Sequence, residues 1–228
     1  MNSVLDNPIW KALSGTDLSK NIGFTNCAYF DEEVAPFIGL ANWDKESQKN
    51  LIDRVPINRS WFLLIADEVD FIDELKMTYS TTLYQFVCPK LGPAPFSKTD
   101  TEIVPLHAAH IDEMIALTEL TKPGPFRSRT IEFGNYHGIF ENNKLVAMGG
   151  ERLHVDDYIE VSAICTHPDF QGKGYGAKIT HYLSASVIEK NKIPFLHVRM
   201  ENDAAIAVYK KLGFEIRAKI NFYIIKKK

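Results

Sequence analysis

Three glycines at alternate positions, Gly172, Gly174 and Gly176, stand between two segments of opposite periodicity. Before them, 158–166 is almost wholly apolar and rich in β-branched residues, which predicts a strand. His167-Pro168-Asp169 ends it, because proline has no N–H to give to a ladder. After them Ile179, Leu183 and Val187 recur every four residues with Tyr182 beside them, which predicts an amphipathic helix. Strand, glycine turn and helix start aim several backbone N–H groups at one point, together with the positive end of the helix dipole. Such a nest holds a phosphate without a basic side chain. The turn lacks the Gly-Lys-Ser/Thr that closes a nucleotide P-loop. It also lacks the G-x-G-x-x-G spacing and acidic ribose contact of a dinucleotide site.

Four more residues could carry chemistry. Glu160 interrupts the apolar strand, where a carboxylate costs several kcal/mol unless partnered or solvated. Counting by two puts it on the face of Ile164, roughly 13 Å away, so it would act there through water. A bulge between the two would change that geometry. His197 sits in the apolar run 195–200. An imidazole is well matched to proton transfer at neutral pH, and is equally at home as a hydrogen-bonded core group. Tyr209 shares a helix face with Ala205, Ile206 and Leu212, which places its phenol against the core. Cys165 counts to the face opposite Glu160 and reads as a small core residue.

Gln171-Gly172-Lys173-Gly174-Tyr175-Gly176 resembles the Q/R-x-x-G-x-G/A signature of the GNAT N-acetyltransferase superfamily, which holds the pyrophosphate of coenzyme A. The segment from Asn202 through Ala205 and Tyr209 to Gly213-Phe214 resembles the family's N-x-x-A-x-x-x-Y-x-x-x-G-F. The resemblance implies an α/β (α+β) GNAT fold: a mixed, mostly antiparallel sheet flanked by helices, with a splayed central strand pair. It implies acetyl-CoA as cosubstrate and no metal. Backbone amides from Gln171, Gly172, Lys173, Gly174, Tyr175, Gly176 and Ala177 would hold the diphosphate. Ile164, Cys165 and Thr166 would lie along the pantetheine arm, with the Ile164 N–H facing the thioester carbonyl as an oxyanion donor. Asn202 and Ala205 would contact the cofactor, and Tyr209 would be the general acid to the leaving thiolate. Glu160 would be the base, as at the matching strand position of histone acetyltransferases. His197 is the second candidate, where ribosomal-protein N-terminal acetyltransferases carry a glutamate.

At 228 residues the chain has room for one large domain or two small ones. It is 45% hydrophobic and 24% charged, an ordinary globular composition. A net charge of −3 argues against a nucleic-acid binder. The three cysteines, Cys27, Cys88 and Cys165, show no metal-like pairing and read as free thiols. With no signal peptide or membrane span visible, the expected location is cytoplasmic.

In the first half, 8–13 and 44–55 read as helices, with Asn7 and Asp44 as cap candidates, and 60–66 and 82–88 as strands. The stretch 91–97 reads as a linker. The expected division is therefore 1–97, a smaller α/β domain with its own core, and 98–228, the catalytic domain. The chain as a whole resembles the glycine N-acyltransferase-like branch, in which a degenerate GNAT-like domain precedes the active one. In the second half, 102–106, 136–140, 145–152, 195–200, 214–217 and 220–225 read as strands and 110–121 as a helix. The expected reaction is acetyl transfer to a primary amine of a small molecule or peptide by direct attack, by a monomer or homodimer. The alternatives are an amino-acid N-acyltransferase with a larger acyl donor, or a non-catalytic CoA-binding module.

Overall fold

Prolines and short polar side chains set the ends of the early elements. A computed structural model describes residues 3–94 and 101–228. Helix α1 (Pro8–Leu13) starts on Pro8, whose missing N–H costs nothing in a first turn. Asn7 precedes it but makes no side-chain cap; its amide bonds the Leu40 carbonyl instead, at 2.8 Å. Strands β1 (Cys27–Tyr29) and β2 (Ile38–Leu40) form a small antiparallel sheet of their own. Helix α2 (Lys45–Ile52) is capped by Asp44, whose carboxylate accepts the Ser47 N–H at 2.7 Å. It stops short of the expected 55 because Val55 precedes Pro56, and a residue before proline is pushed out of helical backbone.

The remaining elements are β3 (Ser60–Ile65), β4 (Leu75–Val87), β5 (Val104–Pro105), α3 (Ile111–Thr121), β6 (His137–Glu141) and β7 (Lys144–Val155). They continue with β8 (Tyr158–Thr166), α4 (Tyr175–Glu189), β9 (Ile193–Arg199), α5 (Asp203–Lys211) and β10 (Glu215–Lys227). One eight-stranded sheet runs in the order β3-β10-β4-β9-β8-β7-β6-β5. Its neighbours are antiparallel except for the β8–β9 pair. The β6–β7 hairpin turns on Asn142 and Asn143, both at positive φ (50° and 60°), as a tight hairpin turn requires.

Two expectations are corrected here. The segments 214–217 and 220–225, read as two strands, are parts of the single strand β10, which slots between β3 and β4. That insertion also removes the expected division at residue 97: strands from both halves alternate in one sheet. The main core likewise joins Leu5, Ile9, Phe30 and Phe37 to Met114, Tyr136, Met148 and Phe195. Pro93 lies in an irregular stretch that does not separate two cores; of the expected linker, residues 95–97 lie outside the described residues. The three cysteines are free and buried.

A polar cluster fastens the first turn after α1 to β7. The Asp17 carboxylate accepts the His154 N–H at 2.9 Å and lies 3.2 Å from its Nδ1. On the other side of the ring, Glu151 lies 3.2 Å from Nε2 and also accepts from Lys190 and Asn135. Burial alone would lower the His154 imidazole, but the two carboxylates outweigh it and raise it to about 9, from an ordinary 6.5. A raised histidine stabilises the fold fully below pH 6.5, loses that contribution as pH rises, and has lost it above about pH 9. Thermal melts from pH 6 to 9.5 should show a fall of roughly 3 kcal/mol at most that the His154→Gln variant lacks. Equal slopes in the two proteins would remove this assignment.

Candidate functional site

Strands β8 and β9 pair over three residues only: Tyr158 with Ile193, Ile159 with Pro194, and Glu160 with Phe195. Beyond that point each keeps its outer neighbour. β9 continues against β4 as far as Arg199, and β8 against β7 as far as Thr166. The facing edges of the two strands then have no ladder partner among the described residues. A cleft of about 1160 Å³ opens from this fork. One wall carries Ser162, Ile164 and Thr166; the other carries Leu196, Val198 and Asn202.

The bend in β8 has a local cause. Cys165 pairs with Met148 and Ser162 with Gly150, so β8 uses three steps where β7 uses two. This is a bulge, with Ala163 at φ 54°. An extra residue inverts the alternation of side chains beyond it. The expected faces are corrected accordingly. Ile164 packs with Tyr175 and Ile179 on the α4 side of the sheet. Cys165 joins Met148 and Tyr136 in the core that Glu160 also faces. Burial pushes the Cys165 thiol up to about 11, so it is a packing group rather than a nucleophile at neutral pH.

The glycine turn follows directly. Gly172 and Gly174 adopt φ of 80° and 82°, left-handed backbone that a side chain would strain, and the space where a Cβ would sit is open at both. Gly176 has ordinary φ; a Cβ there would stand 3.6 Å from the Thr166 hydroxyl oxygen. The first bond inside α4 runs from the Lys178 N–H to the Gly174 carbonyl. Main-chain N–H groups from Gly172 to Ala177 have no acceptor among the described residues. Gln171 and Lys173 are exposed beside them. The Tyr175 ring is buried and its hydroxyl bonds Glu141, so of this residue only the N–H faces the turn.

Glu160 is fully buried, at the last paired position of the fork. Arg152 grips it with two bonds, Nε to Oε2 at 2.8 Å and Nη2 to Oε1 at 2.5 Å, and His197 Nδ1 lies 2.7 Å from Oε1. Burial raises a carboxyl's pKa, but the Arg152 guanidinium and the His197 ring outweigh it and hold Glu160 at about 2. Both oxygens are occupied, so the expected role as base is not what this geometry supplies. His197 is engaged at both nitrogens too, since its Nε2 lies 2.9 Å from the Gln85 side-chain nitrogen. Gln85 cannot be turned round: its nitrogen donates to the Leu5 carbonyl at 3.0 Å and its oxygen accepts from Arg217. His197 Nε2 therefore accepts, and the ring proton sits on Nδ1, pointing at Glu160. The second candidate base is corrected on the same ground. Arg217 continues the chain to Asp6 at 2.6 Å.

Arg152, Gln85 and Arg217 had escaped the sequence reading. Gln85 carried a signal, a lone polar residue in Leu83-Tyr84-Gln85-Phe86-Val87.

Tyr209 lies against Phe86 and Phe214, with ring centroids 6.2 and 5.9 Å away, and borders the cleft. Burial lifts its phenol to about 12. Asn202 caps α5, its oxygen accepting the Ala205 N–H at 3.1 Å, and also borders the cleft.

A protein-family model described as FR47-like protein matches residues 136–223. A solved structure from Novosphingobium aromaticivorans, described as an acetyltransferase from the GNAT family, is 27% identical and aligns over 100% of both chains, with a TM-score of 0.90. The chain has the GNAT fold. A GCN5-related N-acetyltransferase from Kribbella flavida shares the GNAT fold at 14% identity, with a TM-score of 0.64 over 96% of this chain and 95% of that one. Mycothiol acetyltransferase of Mycolicibacterium smegmatis is 29% identical over 80 residues. That stretch is 33% of this chain and only 27% of the relative's length.

If Glu160 is the partner that keeps Arg152 buried, Glu160→Gln leaves a desolvated cation and sets amide hydrogens against other donors. Urea unfolding should then show a loss of about 3–5 kcal/mol. Unchanged stability would mean that the ion pair does not hold the fork.

Proposed function

We propose that this GNAT-fold protein transfers the acetyl group of acetyl-CoA to a primary amine by direct attack. The observation that carries the reading is the fork: two adjacent strands separate beside a helix start whose N–H groups are free. The positive φ values and open space at Gly172 and Gly174 fit close approach of a diphosphate to the backbone. Acetyl-CoA supplies an activated thioester carbonyl. The main-chain amides of residues 172–177 would bind its diphosphate, flanked by Gln171 and Lys173. The free edge of β8 at Ile164, Cys165 and Thr166 would pair with the pantetheine arm as an added strand does. The Ile164 N–H would polarise the carbonyl. Asn202 has its amide nitrogen left to bond the arm, and Ala205 is small enough to lie beside it.

Tyr209 would be the general acid. Held at about 12, it is fully protonated at neutral pH and so has a proton to offer, although passing it to a thiolate of about 8.5 runs uphill until solvent returns a proton to the phenolate. The N–C bond forms, the C–S bond breaks, the thiolate takes the phenolic proton, and solvent restores it. With Glu160 and His197 both engaged, the amine gives its proton to water in the open cleft. The rate then follows the fraction of neutral amine.

The glycine N-acyltransferase-like resemblance is part of this proposal. It is supported by the first half of the chain, which contributes Phe37, Phe62 and Tyr79 to the cleft on the acceptor side.

Tyr209→Phe should lower kcat by about 10²–10⁴ while CoA affinity, read by calorimetry, stays within about twofold. A wild-type rate would remove the acid, and no heat with CoA would remove the proposal. For a lysine-type amine, kcat/KM should rise about tenfold per pH unit from 6 to 9, because the amine's reference value is about 10.4. A plateau near pH 7 would instead reveal a protein base.

A further inference from the structure

Beyond the fork, the cleft runs over an open apolar face built by β3, β10 and β4. Their registers align two rows across it: Leu64, Phe222 and Thr81, then Phe62, Ile224 and Tyr79. The rings touch edge to face. Phe62 and Phe222 have centroids 5.4 Å apart, Tyr79 and Phe222 6.2 Å, and Phe37 and Phe62 6.2 Å. Tyr79 remains 42% exposed, and Phe62 and Phe222 are only partly covered. Contiguous half-exposed rings inside a cleft mark where an apolar ligand binds.

The charges around this floor point the same way. The floor rows hold no acid. Carboxylates facing the cleft, Glu32 and Glu119, are exposed, against Lys122, Arg127 and Arg199. Arg152 reaches the cleft as well, over the Phe37 ring at 4.8 Å, but its charge is matched by Glu160. A polycation would find more positive than negative groups here and would cover the rings with nothing. A single amine on a flat apolar body would satisfy both.

We infer that the acceptor is a monoamine carried on an aromatic or similarly large apolar body, which lies on the Phe62–Phe222–Tyr79 floor, with no second positive charge. This rests on the acetyl-transfer reading and names the substrate class of that site.

The test uses the full chain with acetyl-CoA and thiol release, comparing phenethylamine with spermidine. The expected result is a kcat/KM for phenethylamine at least tenfold higher. Tyr79→Ala, at a position 42% exposed, should raise the phenethylamine KM about fivefold or more and leave the acetyl-CoA KM unchanged. A preference for spermidine would overturn the inference while leaving acetyl transfer intact. So would a lower KM for octanoyl-CoA than for acetyl-CoA that Tyr79→Ala abolishes, because the floor would then hold the acyl chain. Calorimetric binding of phenethylamine in the absence of CoA reads the floor by itself. Binding weakened by Tyr79→Ala supports the inference even where turnover fails and the acetyl-transfer reading falls. No binding in wild type, with no turnover of that amine, sinks the inference.

Discussion

A carboxylate with no exposure to water, Glu160, joins the strands where the sheet divides. Arg152 ties it to β7 and His197 ties it to β9, at the last rung before the fork. Gln85 extends the link to β4, and Arg217 to β10 and to Asp6 near the N-terminus. Buried ion pairs seldom add net stability over a well-packed apolar core, because desolvation consumes the Coulombic gain. What this one supplies is position. Each member is a directional donor or acceptor, so the fork apex has one arrangement that satisfies all of them.

The fork separates two surfaces of different chemistry. On the α4 side, free backbone amides and three glycines form a surface suited to phosphate, with no dependence on a particular side chain. On the other side, a floor of half-covered rings comes from β3, β4 and β10. Two of those strands belong to the first half of the chain. The insertion of β10 between them is therefore a condition for the floor, and not only a feature of topology. The glycine turn needs only local backbone geometry, whereas the aromatic floor needs segments more than 100 residues apart to be in register.

Sequence reading recovered the elements whose signals are local. The glycine turn, the start of α1 and the Asp44 cap were all legible, because each reflects the backbone preference of a few residues. It failed where partners decide. Glu160 was recognised as out of place in an apolar strand, but nothing nearby in sequence says that Arg152 and His197 consume both of its oxygens. The facing of Ile164 and Cys165 failed for a smaller reason: one extra residue at Ala163 reverses a count by two.

The sequence by itself determined where the chain bends, where its helices begin and which turn leaves amides free, since steric limits on φ and ψ act within a few residues. The tertiary structure decided which strands neighbour one another, that a single sheet spans both halves, and that the candidate bases are locked in a buried network. Those outcomes depend on register and burial across the whole fold, where one inserted residue or one distant cation changes what a side chain can do.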